Sequence, residues 1–427
     1  FYVSASHNPV GHNGLKMGGR DGGVAGGDEA LALIDAFRAL IAAPDELAAI
    51  AAELARPADD AERAVFAAIP EAKGDSLARY SSFCTRVIAG DGPRAARALE
   101  HLRSGVAAAG PGVVGDLNGS ARAATIDRDY LATTGCRLAL INDRPGKIAH
   151  QIVPEGEGLA ACRAELDRLA HEDPSWVLGY VPDNDGDRGN LVYYDRPAAQ
   201  ARQLEAQEVF ALSTAAELAW LVFTGELAYD GDGRPSRRVA VVVNGPTSLR
   251  IDRIARLFGA ELHRAEVGEA NVVARARELR GEGVLVRMLG EGSNGGTITH
   301  PSAVRDPLHT IHAVLKLLYT ESSAGSPSPL DIWIDRCGLP DGGIERNDLA
   351  ALVASLPRFT TTSAFEERAI MRIRSDSHAE LKREAERLIA DEAGAIIASL
   401  PDDLGVTTYR VVNYERTAVR PGPGNRT

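Results

Sequence analysis

The feature of this sequence that most constrains its fold is an alternation of short apolar runs with helical stretches between residues 112 and 289. Strands that alternate with helices build sheets that are mostly parallel and covered by those helices. The sequence therefore predicts two consecutive α/β units joined by a long helix at 205–223. The predicted strands lie at 112–117, 137–141, 176–181 and 191–194 in the first unit, and at 238–243, 261–267 and 284–289 in the second.

The flanking segments have a different pattern. Residues 1–110 are predicted to be mostly helical, with a helix at 28–41 whose apolar residues share one buried face, and two more at 46–54 and 60–69 that are separated by prolines. After 342, residues near 365–374 alternate, 377–400 predict a charged amphipathic helix, and 407–412 predict a strand. These shifts predict four domains, at 1–110, 111–204, 205–340 and 341–427, and we expect both chain ends to be truncated.

Charge and composition exclude several classes of function. Lys and Arg number 47 against 59 Asp and Glu, so the net charge of −12 opposes binding to nucleic acids and to anionic lipid surfaces. No apolar run approaches the roughly 20 residues that cross a bilayer. The four cysteines lie far apart, a spacing that predicts neither a zinc site nor a disulfide framework. We therefore expect a cytoplasmic protein with no nucleic-acid or membrane partner.

A polar loop follows the strand remnant at the start of the chain. It reads Ser4-Ala5-Ser6-His7-Asn8-Pro9 and continues to Asn13-Gly14-Leu15-Lys16. Proline and glycine allow a tight loop that exposes a serine hydroxyl, while His7 and Lys16 supply positive charge or proton transfer. Taken alone, this segment is also compatible with an ordinary polar turn.

A second loop, directly after the apolar run at 176–181, carries three carboxylates at alternate positions. Asp183, Asp185 and Asp187 repel one another unless a cation neutralises them, and hard oxygen ligands suit Mg²⁺ or Ca²⁺. An EF-hand is excluded, since Arg188 and Tyr194 occupy the positions where that loop requires glycine and a carboxylate. A solvated acidic turn is the alternative, but the carboxyl ends of strands in α/β sheets commonly bind ligands.

A third loop, Gly290-Glu291-Gly292-Ser293-Asn294-Gly295-Gly296, follows the run at 284–289. It offers a carboxylate, a hydroxyl and an amide on a flexible frame, which are groups able to hold sugar hydroxyls. A glycine-rich hairpin is an equally good interpretation of this loop alone.

Together, the three loops resemble those of the alpha-D-phosphohexomutase superfamily in order and spacing. That family has a Ser-His-Asn-Pro loop followed by Asn-Gly-x-Lys, a metal loop Asp-x-Asp-x-Asp-Arg, and a sugar loop Gly-Glu-x-Ser. The segment at 115–119 also resembles the opening of the family's second domain, and Val267-Gly268 resembles its sugar-selecting loop in the third domain. The resemblance implies a four-domain α/β architecture, with three similar mixed α/β domains and a smaller α+β C-terminal domain around a cleft.

The resemblance also implies the chemistry. Ser6 would carry a phosphoryl group, Mg²⁺ would be held by Asp183, Asp185, Asp187 and a phosphoryl oxygen on Ser6, and His7, Lys16 and Arg188 would offset the remaining charge. The phosphosugar substrate would be converted between its 1-phosphate and 6-phosphate through a hexose 1,6-bisphosphate, which also serves as activator. The implied substrate-binding residues are Gly268, Glu269, Glu291, Ser293 and Asn294.

The sequence departs from the family at two loops. Asn294-Gly295-Gly296 stands where many relatives have Gly-His, and Glu269-Ala270-Asn271 stands where relatives often have aromatic residues, His or Lys. The family's phosphate clamp, Arg-x-Ser-Gly-Thr-Glu-Pro, is also absent from the sequence. A phosphoglucomutase or phosphomannomutase is the first interpretation, and the alternatives are an amino-sugar mutase, a metal-dependent phosphohydrolase or a sugar-phosphate sensor. Oligomeric state does not follow from the sequence.

Overall fold

A computed structural model describes residues 1–4, 6, 8, 11–151, 155–322, 326–345, 347–360, 372–374, 377–400 and 412–419. The predicted mixed α/β class is confirmed, because helices cover two separate multistranded sheets in the middle of the chain.

The described part of residues 1–110 is a two-stranded antiparallel hairpin followed by helices. Its elements are β1 (Tyr2–Val3), β2 (Leu15–Lys16), α1 (Gly27–Ile41), α2 (Pro44–Ala55), α3 (Asp60–Ala89) and α4 (Ala95–Ala109). The prediction that Pro70 ends a helix is wrong, since α3 continues through it. A proline removes one backbone donor, and the C-terminal end of α3 compensates by burying Cys84, Val87 and Ile88 in the core.

The apolar face predicted to be buried on α1 is instead exposed. The side chains of Leu31, Ile34, Phe37 and Ile41 are between 43% and 58% exposed. Helices α1 and α2 pack against each other, and no sheet covers this face within the described residues. Helical periodicity thus predicted the helix correctly but not the environment of its apolar side.

The first α/β unit has a five-stranded sheet in the order β4-β3-β5-β6-β7. Strands β4, β3 and β5 are parallel, and β6 and β7 continue the sheet antiparallel. Its elements are β3 (Gly112–Asp116), α5 (Asp127–Thr134), β4 (Arg137–Ile141), α6 (Ala160–Glu172), β5 (Trp176–Val181), β6 (Asn190–Asp195) and β7 (Gln200–Gln203).

The second α/β unit repeats this arrangement with the order β9-β8-β10-β11. Three parallel strands are again followed by an antiparallel one. β5 and β10 occupy the same place in the two sheets. The loop that carries Asp183, Asp185 and Asp187 (the acidic loop) and the loop at 290–296 (the Glu291 loop) therefore leave equivalent strands. The elements are α7 (Ala206–Thr224), β8 (Val239–Asn244), α8 (Arg250–Leu257), β9 (Glu261–Ala265), α9 (Glu269–Gly281), β10 (Leu285–Glu291), β11 (Gly296–Thr299), α10 (Pro307–Tyr319) and α11 (Pro329–Arg336).

The long helix α7 runs through the largest core cluster and is almost entirely buried. Its buried Glu217 is neutralised by Lys316 Nζ at 2.6 Å and Arg287 Nε at 2.8 Å. Buried charges require such partners. Within the described residues, no helix is both long and apolar enough to span a membrane.

The described part of the last segment contains three short or amphipathic helices and one hairpin. They are α12 (Leu349–Ala354), α13 (His378–Asp391), α14 (Ala393–Ala398), β12 (Tyr414–Glu415) and β13 (Ala418–Val419). The helix predicted at 377–400 is interrupted at Glu392 and forms two helices. Most of the predicted alternating run near 365–374 and of the predicted strand at 407–412 lies outside the described residues.

Acidification should destabilise the protein through His312, which lies buried on α10. Its Nδ1 lies 2.7 Å from the Leu308 carbonyl oxygen and its Nε2 lies 3.1 Å from the Thr134 hydroxyl. Burial lowers the pKa of His312 to about 4. Between about pH 6.5 and 4, His312 is therefore protonated in the unfolded chain but neutral in the folded chain. The free energy of unfolding falls as the pH falls through this window.

We expect His312 to account for about 3 kcal/mol of the loss in the free energy of unfolding between pH 7 and pH 4. Urea unfolding of wild type and His312→Gln at both pH values measures this contribution, and the exposed His171→Gln is the control. An equal pH dependence in wild type and His312→Gln would contradict the assignment.

Candidate active site

Ser6 lies on the turn that joins the two strands of the first hairpin. Its φ of 50° places it in the left-handed region, which is unusual for a residue with a side chain. The loop is closed by the Ser4 N–H, which donates to the Gly14 carbonyl oxygen at 2.8 Å. A Cβ at Gly14 would lie 2.8 Å from the Ser4 carbonyl oxygen, so this approach requires glycine. His7 lies outside the described residues.

The acidic loop directly follows β5 and folds back on Asp183. The backbone N–H groups of Asp187 and Arg188 donate to Asp183 Oδ1 at 3.1 and 3.3 Å. Gly186 adopts a φ of 81°, and a Cβ there would collide with the Arg122 side chain. The loop geometry therefore turns the alternate carboxylates toward a common point.

Hydrogen bonds between described residues join the serine loop to the acidic loop. The Ser6 Oγ donates to Asp183 Oδ2 at 2.8 Å, and the Ser4 Oγ donates to Asp185 Oδ2 at 2.7 Å. Lys16 Nζ reaches the same Asp185 oxygen at 3.1 Å. The structure thus brings the serine, the lysine and the carboxylates of two distant sequence segments into direct contact.

The three carboxylates have unequal electrostatic environments. Burial, and then the charges of Asp187 and Asp185, raise the pKa of Asp183 to about 6. Burial also raises the pKa of Asp187. At Asp185 burial acts in the same direction, but the Ser4 hydroxyl and the Lys16 charge outweigh it and lower the pKa. Arg188 Nε lies 3.5 Å from Asp183 Oδ2 and offsets part of the charge.

The carboxylate cluster fits a hard divalent cation. One oxygen from each of Asp183, Asp185 and Asp187 lies within 4.8 Å of the others. Asp185 Oδ1 and Asp187 Oδ1 are buried and accept no hydrogen bond from the described residues. Buried carboxylate oxygens need a partner, and an all-oxygen donor set is the one that Mg²⁺ prefers.

Glu291 lies at the end of β10, where its carboxylate ties three loops together. Its Oε1 accepts from Asn244 Nδ2 at 3.0 Å and from the Gly268 N–H at 2.8 Å. Its Oε2 accepts from Asn294 Nδ2 at 3.1 Å. The Ser293 Oγ lies 3.4 Å from the same Asn244 amide nitrogen. All the predicted residues of this loop therefore lie together, with Asn244 as a member that the sequence did not indicate.

Arg305 joins the acidic loop to this second group. Its guanidinium contacts Asp187 Oδ2 at 2.7 Å, Glu269 Oε2 at 2.9 Å and Glu291 Oε2 at 3.9 Å. Sequence reasoning missed it, because a single arginine between β11 and α10 belongs to no recognisable motif. Burial raises the pKa of Glu269 despite this contact. Arg305 thus connects the acidic loop and the Glu291 loop to the turn at 267–269, which precedes and begins α9 (the Gly268 loop).

The comparison with protein families concerns the second α/β unit. Residues 221–329 match the family model described as phosphoglucomutase/phosphomannomutase, alpha/beta/alpha domain III. This part of the chain is therefore similar to the third domain of that family. The match includes both the Gly268 loop and the Glu291 loop, and it confirms the resemblance to the alpha-D-phosphohexomutase superfamily, whose members are isomerases. No curated protein matches the chain.

Solved phosphohexomutase structures are similar to the chain at low identity. A phosphoglucomutase/phosphomannomutase family protein from Burkholderia thailandensis is 17% identical, with 79% of this chain and 57% of that one covered and a TM-score of 0.44. The open form of parafusin, a phosphoglucomutase from Paramecium, is 17% identical, with 56% and 38% covered and a TM-score of 0.38.

An N-acetylphosphoglucosamine mutase from Aspergillus fumigatus, solved with glucose 1,6-bisphosphate, is 13% identical, with 56% and 48% covered and a TM-score of 0.32. The matched part of the chain spans between 38% and 57% of the length of these three structures.

Loss of the Arg305 charge should destabilise the fold as well as the site. Its side chain is 10% exposed, so Arg305→Met would leave Asp187 and Glu269 facing each other in a poorly solvated environment. Removing one partner of a buried ion pair costs about 3–5 kcal/mol, which we expect as the drop in the free energy of unfolding at pH 7.

The matched control is Arg168→Met, because Arg168 also bridges two carboxylates, Glu165 and Glu172, but does so in solvent. Its effect should stay within about 1 kcal/mol. Urea unfolding measures both variants, and equal effects would show that Arg305 is not a buried electrostatic link.

Proposed function

We propose that this protein is a phosphohexomutase that interconverts a hexose 1-phosphate and a hexose 6-phosphate through a phosphoserine and a hexose 1,6-bisphosphate. The observation that carries the proposal is the contact between the Ser6 hydroxyl and Asp183 at 2.8 Å. It supports the proposal because a serine able to carry a phosphoryl group would need to lie beside a carboxylate cluster suited to a divalent cation. A metal-dependent phosphohydrolase would give this serine no role.

In the proposed reaction, the phosphoryl group on Ser6 Oγ is attacked by the free hydroxyl of the bound hexose monophosphate. The phosphorus–Oγ bond breaks while a new phosphorus–oxygen bond to the sugar forms, and the sugar hydroxyl proton passes to a base. In the returning step, Ser6 Oγ attacks the other phosphate of the bisphosphate, and the bond between that phosphorus and the sugar oxygen breaks. The sugar oxygen takes up a proton, and Asp183, which accepts a hydrogen bond from Ser6 Oγ, would take the serine proton. Phosphoryl transfer of this kind depends mainly on positioning and charge neutralisation.

Positive charge at this site comes from the chain itself and from the implied metal. Lys16 and Arg188 flank the carboxylates and are placed to stabilise the anionic oxygens of the transferring group. Asp183, Asp185 and Asp187 would hold Mg²⁺, which when bound supplies further charge neutralisation. This local charge allows an acidic protein to bind a phosphosugar.

The second part of the proposed site is the group formed by Gly268, Glu269, Glu291, Ser293 and Asn294, which would hold the sugar ring. The hydroxyls near carbons 3 and 4 lie between the two phosphate positions, so one set of contacts serves both orientations of the bisphosphate. Arg305 links this group to the acidic loop and thereby fixes its distance from Ser6. Glucose or mannose phosphates are the preferred candidate substrates.

Replacement of Ser6 by alanine tests the proposal. In a coupled assay with Mg²⁺ and hexose 1,6-bisphosphate, wild type should convert glucose 1-phosphate or mannose 1-phosphate to the 6-phosphate. Glucosamine 1-phosphate is assayed as well, to test the alternative of an amino-sugar mutase. Loss of the phosphoryl carrier should lower kcat at least ~1,000-fold in Ser6→Ala. The control is Ser82→Ala, an exposed serine on α3. Undiminished turnover in Ser6→Ala would exclude the phosphoserine route.

A further inference from the structure

A second cluster of metal-ligating side chains lies in the interior, where α3 meets the start of α10. Cys84 comes from α3, Asp306 caps the N-terminus of α10, and His309 lies in its first turn. All three side chains are buried. Asp306 Oδ2 lies 3.7 Å from Cys84 Sγ and 3.8 Å from His309 Nε2. None of the three has a part in the proposed phosphoryl transfer.

His309 is the member of the cluster that most needs a ligand. Neither of its ring nitrogens forms a hydrogen bond with any of the described residues, although the side chain is only 2% exposed. A buried polar group without a partner costs about 1–3 kcal/mol. Burial lowers the pKa of His309, so the ring is neutral and has a lone pair available for a metal. A cation bound to Nε2 would give one of the two unpartnered ring nitrogens a partner.

The charge balance around the cluster also favours a cation. Arg122 is shared between Asp127, at 2.5 Å, and Asp306, at 3.6 Å, so one cation faces two carboxylates. Lys316 and Arg287, whose charges also act on His309, are engaged with Glu217. With Cys84 as a neutral thiol, one negative charge is left. A divalent cation that binds a thiolate adds one net positive charge and cancels it.

The separations agree with tetrahedral zinc. Bonds of about 2.0 Å to nitrogen and oxygen and about 2.3 Å to sulfur place tetrahedral ligands roughly 3.3–3.5 Å apart. The sulfur–oxygen separation of 3.7 Å exceeds its tetrahedral value by about 0.2 Å, and the nitrogen–oxygen separation of 3.8 Å exceeds its value by about 0.5 Å. The combination of thiolate, imidazole and carboxylate favours Zn²⁺ over Mg²⁺, which selects oxygen ligands.

We propose that Cys84, Asp306 and His309 bind one Zn²⁺ ion, with water in the fourth position. Binding converts the Cys84 thiol to a thiolate and releases its proton to solvent. The Tyr80 hydroxyl donates to Asp306 Oδ2 at 2.6 Å and orients that ligand, as groups around metal sites commonly do.

The proposed ion would link the helical segment to the second α/β unit. It joins α3 to α10, and Arg122 extends the cluster to the first α/β unit. Asp306 directly follows Arg305, so an ion at this point fixes the chain beside the residue that connects the loops of the candidate active site. The ion would hold these elements together, and its site is distinct from the acidic loop.

Cobalt substitution tests the proposal directly on the full chain. After removal of metals with a chelator, addition of Co²⁺ should produce an intense near-ultraviolet thiolate-to-metal band and the strong visible absorption of a tetrahedral ion. The acidic loop contains no sulfur and cannot produce the first band. Zinc should displace cobalt, abolish both bands and remain bound after gel filtration at about one ion per chain.

Two variants and two matched controls assign the ligands. Cys84→Ala and His309→Leu should lose at least ~90% of the thiolate band and of the retained zinc. Cys162→Ala, at a buried cysteine outside the cluster, and Cys337→Ala, at a partly exposed one, should keep both. The wild-type spectrum needs no variant to fold. Absence of the band in wild type, or its retention in Cys84→Ala, would overturn the proposal.

Discussion

The constraint on which the candidate active site depends is the placement of three carboxylates within 4.8 Å of one another at the end of one strand. Like charges held this close in a poorly solvated position raise the free energy of the folded state unless cations and hydrogen-bond donors face them. Lys16, Arg188 and Arg305 supply the charge, and the Ser4 and Ser6 hydroxyls supply donors. The negative charge of the acidic loop thus requires that cationic and hydrogen-bond-donating side chains contact it.

The repeated strand order explains how two loops far apart in sequence come to share the contacts of Arg305. Both α/β units have three parallel strands followed by an antiparallel strand, and the acidic loop and the Glu291 loop leave equivalent strands, β5 and β10. Ligands bind at the carboxyl ends of such strands. Arg305 connects the two ends by contacting Asp187 on one side and Glu291 on the other.

Sequence reasoning succeeded where a local pattern determines the outcome. The strands β4 and β5 lie where the apolar runs predicted them, because a short apolar run between turns is typical of a buried strand. Local patterns could not show that α3 continues through Pro70, because its tertiary packing outweighs one lost hydrogen bond. They also could not show that the apolar face of α1 is exposed. Periodicity predicts which residues share a helix face, but it does not predict whether another element packs against that face.

Residues that act through tertiary contacts were equally invisible in the sequence. Arg305 and Asn244 belong to no motif, and Cys84 is separated by more than 200 positions from Asp306. The spacing of the cysteines does not indicate the proposed zinc site, because such spacing rules describe ligands that are neighbours along the chain. A cluster assembled from one helix and the start of another can be recognised only after folding.

The most direct test of the central claim is transfer of an isotopically labelled phosphoryl group from hexose 1,6-bisphosphate to the protein. The proposed mechanism predicts that the label appears on Ser6 by peptide mass spectrometry, requires Mg²⁺, and leaves the protein when unlabelled hexose monophosphate is added. A protein that remains unlabelled, or is labelled at another residue, would contradict the mechanism.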